Sequence, residues 1–492
     1  LSLTQRRREE YSPGFVQRKE RVIVEMVGRP GEYGYAVKVG KEEPVLFPTY
    51  SFGDVTYYPP TSCPWPVAKM PEEYGSPERL YTEIRDFVYE HIDISYDERF
   101  YDVMACWIMG DWIQDWFMTA TYLHYHGPPS SGKTRALEIL LSIGYRPLLS
   151  PSISAPALYR TIEVFKPTFL VDEAELYTEG GLDEVRREVL SILNAGYRRG
   201  QYAIRADQHG ETIKLFDVWG FKALASIQAL PDTLQGRCIR IPMMRATRQI
   251  RRRVDEEWAE RIRNQLLSYR FDYLLEDPPL GVNPLDIPDG RLIEIFTPLI
   301  LVAPTPAVEQ RLARLARDIY QAQVEEEQTT MEAQVFISLL EAAKPGIPTV
   351  PISDIADKYN EGKPKGEQTS SQAIGYILKR LGFRKRRDTK TGRVAVILDA
   401  NLIERLKVRY KILEQKELPT QAAGGKEDEG GRPSLGEDER RLLVIMVKGA
   451  EYLTEEVAEM AGWTKEYARK VLETAERDGL VFQPSPGRWM LA

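Results

Sequence analysis

The chain has 492 residues, of which 43% are hydrophobic and 28% charged, and a formal net charge of -7. That length exceeds what one hydrophobic core usually organises, so three or four domains are expected, and the ordinary globular composition points to no particular partner. No apolar run reaches the roughly 18 uncharged residues that span a bilayer, and three scattered cysteines with four histidines offer neither a disulfide framework nor a zinc site, so a cytoplasmic protein with reduced thiols and no membrane partner is expected.

The chain opens on Leu1-Ser-Leu-Thr-Gln-Arg-Arg-Arg, which lacks the apolar stretch of a signal peptide; a start at Leu rather than Met is compatible with a processed form or a fragment. Short β-type runs between residues 20 and 58, broken by Gly-Arg-Pro-Gly and Pro48, predict a β-rich module over 1–75. From 76 to 120 apolar residues recur at helical spacing, with Trp107, Trp112 and Trp116 read as core rather than as a ligand platform. Residues 121–245 alternate strand, loop, helix and strand, the pattern of a parallel sheet with helices on both faces. A helical segment rich in Arg and Glu follows over 246–329, then a helical and β unit over 330–412. A flexible polar linker over 413–436 and a last small unit over 437–492 complete the chain.

Chemistry is most legible at Gly127, Pro128, Pro129, Ser130, Ser131, Gly132, Lys133 and Thr134, a full GxxxxGK[ST] match between a predicted strand and a predicted helix. The glycines let backbone N–H groups converge on phosphates, Lys133 reaches the terminal phosphates of ATP, and Thr134 offers its hydroxyl to Mg²⁺. Thirty-nine residues beyond Lys133, the apolar run Pro167-Thr-Phe-Leu-Val ends in Asp172 and Glu173. Here Asp172 would hold Mg²⁺ through its water shell and Glu173 would polarise the attacking water. Alone, two acids after a strand are as well read as solvated turn residues.

Together with Leu158-Tyr-Arg, Ile192-Leu-Asn-Ala-Gly-Tyr-Arg-Arg-Gly, Lys222-Ala-Leu-Ala-Ser-Ile and Leu230-Pro-Asp-Thr-Leu-Gln-Gly-Arg, these motifs resemble the AAA+ ATPases. The resemblance is to the replicative and primase-associated helicases of viruses, plasmids and mobile elements, including the superfamily 3 type, and covers roughly residues 80 to 410. It implies an α/β P-loop AAA+ core over 121–245, a helical lid over 246–329, a homo-oligomeric, hexameric ring, and a primase or polymerase partner. It also implies a polar sensor after Phe221-Lys-Ala-Leu-Ala-Ser-Ile-Gln, where Gln228 or Ser226 stands in place of the usual Asn. Arg237 takes the place of an arginine finger, its plainer reading being a helix-end arginine satisfying the dipole. Arg291 is placed where a lid helix brings a second arginine to the nucleotide.

Gln201-Tyr-Ala-Ile-Arg-Ala and Glu211-Thr-Ile-Lys-Leu-Phe read as a β-hairpin around Asp207-Gln-His-Gly. Ring helicases of this branch project such a hairpin into a central pore, and Arg198, Arg199, Arg205, His209 and Lys214 are the residues here suited to phosphate contacts. A solvated hairpin with ordinary charges is the alternative. Residues 352–397 give two helices and a two-stranded wing, a winged helix, with Lys379, Arg380, Arg384, Lys385, Arg386, Arg387, Lys390 and Arg393 against Asp388. DNA backbone binding is the natural reading of such a wing, with a protein contact as the alternative. Leu453 to Val481 repeats the helix-turn-helix form around Gly462, with DNA and protein contact equally open.

The expected function is an ATP-dependent DNA helicase or translocase in replication of a mobile or viral element. An initiator or loader that sits on duplex DNA through winged helices without processive unwinding is the alternative, and a remodeller of proteins ranks third.

Overall fold

The computed structural model describes residues 8–150, 155–173, 184–206, 213–276, 285–387, 392–410 and 412, then 452–454, 457–458, 465–477, 481–485 and 488–491. The chain divides into two compact units, Leu1–Ile412 and Leu413–Ala492.

The first unit begins with β1 (Arg8–Tyr11), β2 (Gly14–Gln17), β3 (Val22–Arg29), β4 (Glu32–Val39), β5 (Val45–Phe47), β6 (Tyr50–Phe52) and β7 (Val55–Tyr58). They form two sheets, ordered β2-β3-β4-β5 and β1-β7-β6. Alternation along β3 and β4 sends Val22, Val24, Met26, Tyr35 and Val37 into a small local core, while Ile23, Val27 and Ala36 join the main core. Both faces of this sheet are therefore covered.

Next come α1 (Pro77–His91) and α2 (Arg99–Trp112). Ser76 caps α1 by accepting from the Arg79 amide, and Pro77 at the first helical position loses no needed donor. Trp107 and Trp112 are buried, each indole donating to a backbone carbonyl, of Thr121 and Ile143 respectively, while Trp116 is half-buried.

The central elements are β8 (Tyr122–His126), α3 (Lys133–Ile143), β9 (Pro147–Ser150), α4 (Ala155–Phe165), β10 (Thr168–Val171), α5 (Glu184–Ala195), β11 (Tyr202–Ala206), β12 (Ile213–Asp217), β13 (Lys222–Ser226), α6 (Asp232–Gln235) and β14 (Cys238–Pro242). Five strands form one sheet, ordered β14-β8-β13-β10-β9, with every neighbouring pair parallel. The fold is mixed α/β with a P-loop-like core. Its central strands are buried nearly end to end, as strands covered on both faces must be. The strands β11 and β12 stand outside it as a two-stranded antiparallel hairpin.

Helices α7 (Glu256–Tyr273), α8 (Gly290–Leu301), α9 (Pro306–Thr329) and α10 (Met331–Ala342) follow. Asp255, Asp289, Thr305 and Thr330 cap them in turn through side-chain oxygens. The unit closes with β15 (Thr349–Pro351), α11 (Ile352–Asn360), α12 (Ser371–Arg380), β16 (Lys385–Arg387), β17 (Val394–Ile397) and α13 (Ala400–Arg409), whose strands pair antiparallel in the order β15-β17-β16. A core around Phe336, Ile355, Ile374 and Leu378 holds this part together.

A buried ionic knot joins the amino-terminal sheets to the parallel sheet's flank. Glu25 of β3 accepts from Arg270 of α7 at 2.7 Å, from Arg146 at 2.7 Å and from the Tyr145 hydroxyl at 2.8 Å. Arg270 also donates to the Trp112 carbonyl at 2.6 Å and pairs with Asp115 at 3.0 Å.

In the second unit, β18 (Tyr452–Leu453), α14 (Lys465–Arg477), β19 (Val481–Ser485) and β20 (Arg488–Leu491) are described, with strands ordered β18-β20-β19. Gly462 and the linker over 413–436 lie outside the described residues. No helix among the described residues is long and apolar enough to cross a membrane.

Candidate functional site

The loop between β8 and α3 is shaped by its backbone. Gly132 has φ +93° and Ser130 φ 61°, and a Cβ on Gly127 would lie 2.2 Å from the Met243 carbonyl oxygen, so only glycine fits there. The Gly127 amide donates to the Ser226 carbonyl at 3.3 Å, and the Met243 amide donates to that of His126 at 2.6 Å, tying the loop to β13 and to the segment after β14. The Lys133 ammonium donates to the carbonyls of Gly127 and Pro128, both at 2.9 Å. Pro128, Pro129 and Ser130 are exposed, while Ser131 is buried with a hydroxyl that has no hydrogen-bond partner among the described residues.

Strand β10, two places from β8 in the sheet, delivers the acids. Thr134 donates its hydroxyl to Oδ2 of Asp172 at 2.8 Å, and the Glu173 amide donates to Oδ1 at 3.0 Å. Glu173 is exposed with φ 52°, a left-handed turn that breaks the strand and frees its carboxylate. A hydroxyl and a carboxylate in direct contact at a helix N-terminus are the donor set that a hydrated Mg²⁺ and a nucleotide phosphate take together. The residues present fit both.

At the end of β13 the two sensor candidates part. Gln228 has an exposed side chain, whereas Ser226 is buried and donates to the Gln228 carbonyl at 2.6 Å. Behind Ser226 lies His124 of β8, whose Nε2 is 2.7 Å from the Ser226 hydroxyl and whose Nδ1 is 2.9 Å from the Gln235 amide. Burial first, then the neighbouring His126, pushes His124 down to about 3, so it is neutral and carries one N–H between two partners. His124 and Gln235 escape sequence reading because nothing in their spacing marks them.

Arg237 stands elsewhere. Strands β14 and β8 run parallel with Cys238 opposite Tyr122 and Pro242 opposite His126. Arg237 is therefore at the amino edge of the sheet and the phosphate loop at the carboxyl edge, about 20 Å apart along six residues at ~3.3 Å each. Arg291, expected at the nucleotide, is instead beside Arg237, since both guanidinium groups lie over the Tyr197 ring, 5.1 and 5.7 Å from its centroid. The Tyr197 hydroxyl donates to Glu294 at 2.8 Å, and Arg291 and Arg198 approach the same carboxylate at 3.9 and 4.0 Å. Burial, then Arg291, lowers the Arg237 pKa, and its Nε is buried with no hydrogen-bond partner among the described residues.

The basic residues expected to grip DNA divide. Arg199 is spoken for: its guanidinium lies 3.8 Å from the Trp219 ring centroid and donates to the carbonyls of Phe117 and Gln114, so it is a brace at the hairpin root. Arg198 and Lys214 are exposed. The side chain of Arg205, and His209 with the hairpin tip, lie outside the described residues. On the hairpin, Tyr202, Ile204, Ile213 and Leu215 share one face and are all about half exposed or more. Arg384 and, on β16, Lys385, Arg386 and Arg387 are all exposed. Arg380 pairs with Glu332 and Arg393 with Asp354 at 3.6 Å. Lys390 and Asp388 lie outside the described residues.

No protein-family model matches the chain, and no curated protein matches it. Among solved structures, it is similar to the active helicase Cch of SCCmec type IV, with a TM-score of 0.35 and 11% identity over 80% of each chain. The NrS-1 C-terminal region gives a TM-score of 0.31 and 10% identity over 76% of this chain and 97% of that one. JCV helicase gives 0.22 and 14% over 54% and 65%. At such TM-scores these likenesses carry no weight for what the chain does.

Proposed function

We propose that this chain is an AAA+ ATPase that assembles into a ring and uses ATP hydrolysis to translocate on and unwind DNA during replication of a mobile or viral element. The observation that carries ATP hydrolysis is the Thr134 hydroxyl on Asp172 beside the freed carboxylate of Glu173, under a glycine-shaped loop. Bound there, Mg²⁺ would offset phosphate charge. Lys133 exchanges its two carbonyl acceptors for phosphate oxygens, and Glu173 orients the attacking water and draws off its proton. Ser226, backed by the neutral His124, is the better sensor candidate than Gln228, since its hydroxyl is held at the sheet end next to the loop.

The separation of Arg237 and Arg291 from their own loop supports a composite site, in which these arginines serve a neighbouring subunit's nucleotide. The exposed apolar face of the hairpin supports the same assembly. Helices α7 to α9 would be the lid, residues 330–412 a winged helix, and the second unit another, with Arg384 and strand β16 contacting DNA backbone.

The test is the ATPase rate with and without single-stranded DNA for wild type, Glu173→Gln, Arg237→Ala and a mixture of the two variants. Stimulation lost in each variant and partly regained in the mixture is expected. An unstimulated wild-type rate would sink the motor in favour of a loader, and a fully active Arg237→Ala would sink the shared site.

A further inference from the structure

Helices α1 and α7 pack side by side and leave a groove of about 850 Å³ along their seam. Its walls carry Glu72, Glu73, Glu78, Glu83 and Asp86 against two arginines, Arg79 and Arg261. Arg261 is committed to Glu83 at 2.7 Å, and Asn264 donates to Glu72 at 3.3 Å. Glu73, Glu78 and Asp86 have no cation within ion-pair distance among the described residues, and all three are exposed.

A second feature points to a ligand independently of this charge. Gln265 lines the groove and is only 4% exposed, yet its Oε1 has no hydrogen-bond donor among the described residues. A buried acceptor left unmatched is costly, and it is satisfied most simply by a donor arriving from the groove. Beyond Glu78 the surface continues into a second depression of about 690 Å³, lined by the part-exposed rings of Tyr74, Trp116 and Tyr273, where Asp272 and Glu276 are already paired with Lys38 and Arg21. Carboxylates, aromatic faces and a buried acceptor in one run are complementary to a side chain that is cationic, rich in donors and flat or long enough to lie on a ring.

We infer that this α1–α7 seam is a docking groove for an arginine- or lysine-bearing peptide segment of a partner protein. Cationic side chains enter the acidic half, one donates to Gln265, and the flanking chain lies over the aromatic half. The groove sits within the first unit and draws on no residue of the nucleotide site, so its occupancy is testable apart from ATP turnover.

The experiment uses the full chain and a fluorescein-labelled octa-arginine peptide read by anisotropy, with the octa-citrulline peptide as its uncharged counterpart. The variant Glu73→Gln/Glu78→Gln/Asp86→Asn removes exposed charge only, and Glu325→Gln/Glu326→Gln/Glu327→Gln removes as much from an acidic run on α9. At least tenfold weaker binding by the seam variant alone, with ATPase rate unchanged, and weaker binding by Gln265→Met are the expected results. Equal losses in both triple variants, or binding of the citrulline peptide as tight as that of the arginine peptide, would overturn the groove as a receptor. A seam variant that keeps peptide affinity but sediments as a smaller species would overturn the partner and make the occupant a second copy of this chain.

Discussion

Arg237 and Arg291 share the ring of Tyr197, at the end of the β8–β14 pair remote from Lys133. Two arginines so close repel, and burial deepens the cost, part of which Arg237 offsets by donating to the Thr233 carbonyl; on the proposed reading a neighbouring subunit's phosphate would supply the anion that the pair lacks. Arg237→Ala and Arg291→Ala should each lower assembled ATP turnover at least roughly tenfold, in line with arginines that stabilise transition-state charge from a neighbour. Nucleotide affinity of the dilute, dissociated chain should stay as in wild type, measured with a fluorescent ATP analogue. Loss of that affinity in Arg291→Ala would return this residue to the nucleotide of its own subunit.

The contact between Thr134 and Asp172 separates binding from chemistry. Asp172→Asn should weaken Mg²⁺-dependent nucleotide binding roughly 10- to 100-fold, the usual cost of losing an outer-shell carboxylate. Glu173→Gln should bind nucleotide normally and turn it over about 10² to 10⁴ times more slowly. Calorimetric titration of each variant with Mg²⁺ and a non-hydrolysable analogue, set beside kcat, distinguishes them, and tight binding by Asp172→Asn would remove Asp172 from the metal site.

Glu25 is the acceptor for two buried arginines and a tyrosine. Removing it leaves buried Arg146 without a carboxylate and Arg270 with Asp115 alone, so Glu25→Ala should cost about 3–5 kcal/mol of unfolding free energy. The double variant Glu25→Met/Arg270→Met should recover part of that loss. Urea melts decide the matter, and a loss below about 1 kcal/mol would mean that water reaches the knot.

Lys222 is buried at the start of β13, donating to the carbonyls of Val218 and Gly220 at 3.1 and 2.9 Å, beside the Tyr122 ring. Burial pushes it down to about 7 from an ordinary 10.5, with Asp217 opposing. Below about pH 7 both states hold the proton; between there and 10.5 only the unfolded chain does. Stability therefore rises with pH through this window, by up to about 1.4 kcal/mol per unit. Unfolding free energy at pH 7.5 and 9 should show this rise in wild type, and Lys222→Met should flatten it. Equal slopes would show that the folded chain keeps the proton on Lys222.

The residues from Gly127 to Thr134, the pair Asp172 and Glu173, the β-hairpin around residue 207 and the helices flanking them were legible in the amino-acid sequence alone. In each a short spacing is converted directly into geometry by a strand, turn or helix. The convergence of Arg237 and Arg291 on Tyr197 was not legible, nor was the commitment of Arg199 to Trp219. The partnership of His124 with Ser226 and Gln235 and the seating of Glu25 between Arg146 and Arg270 were equally hidden. Those partners lie tens to hundreds of residues apart, and no local periodicity distinguishes a solvated arginine from one clamped on an aromatic ring. Only the order and register of the parallel strands, which set which chain ends meet at each edge of the sheet, decided them.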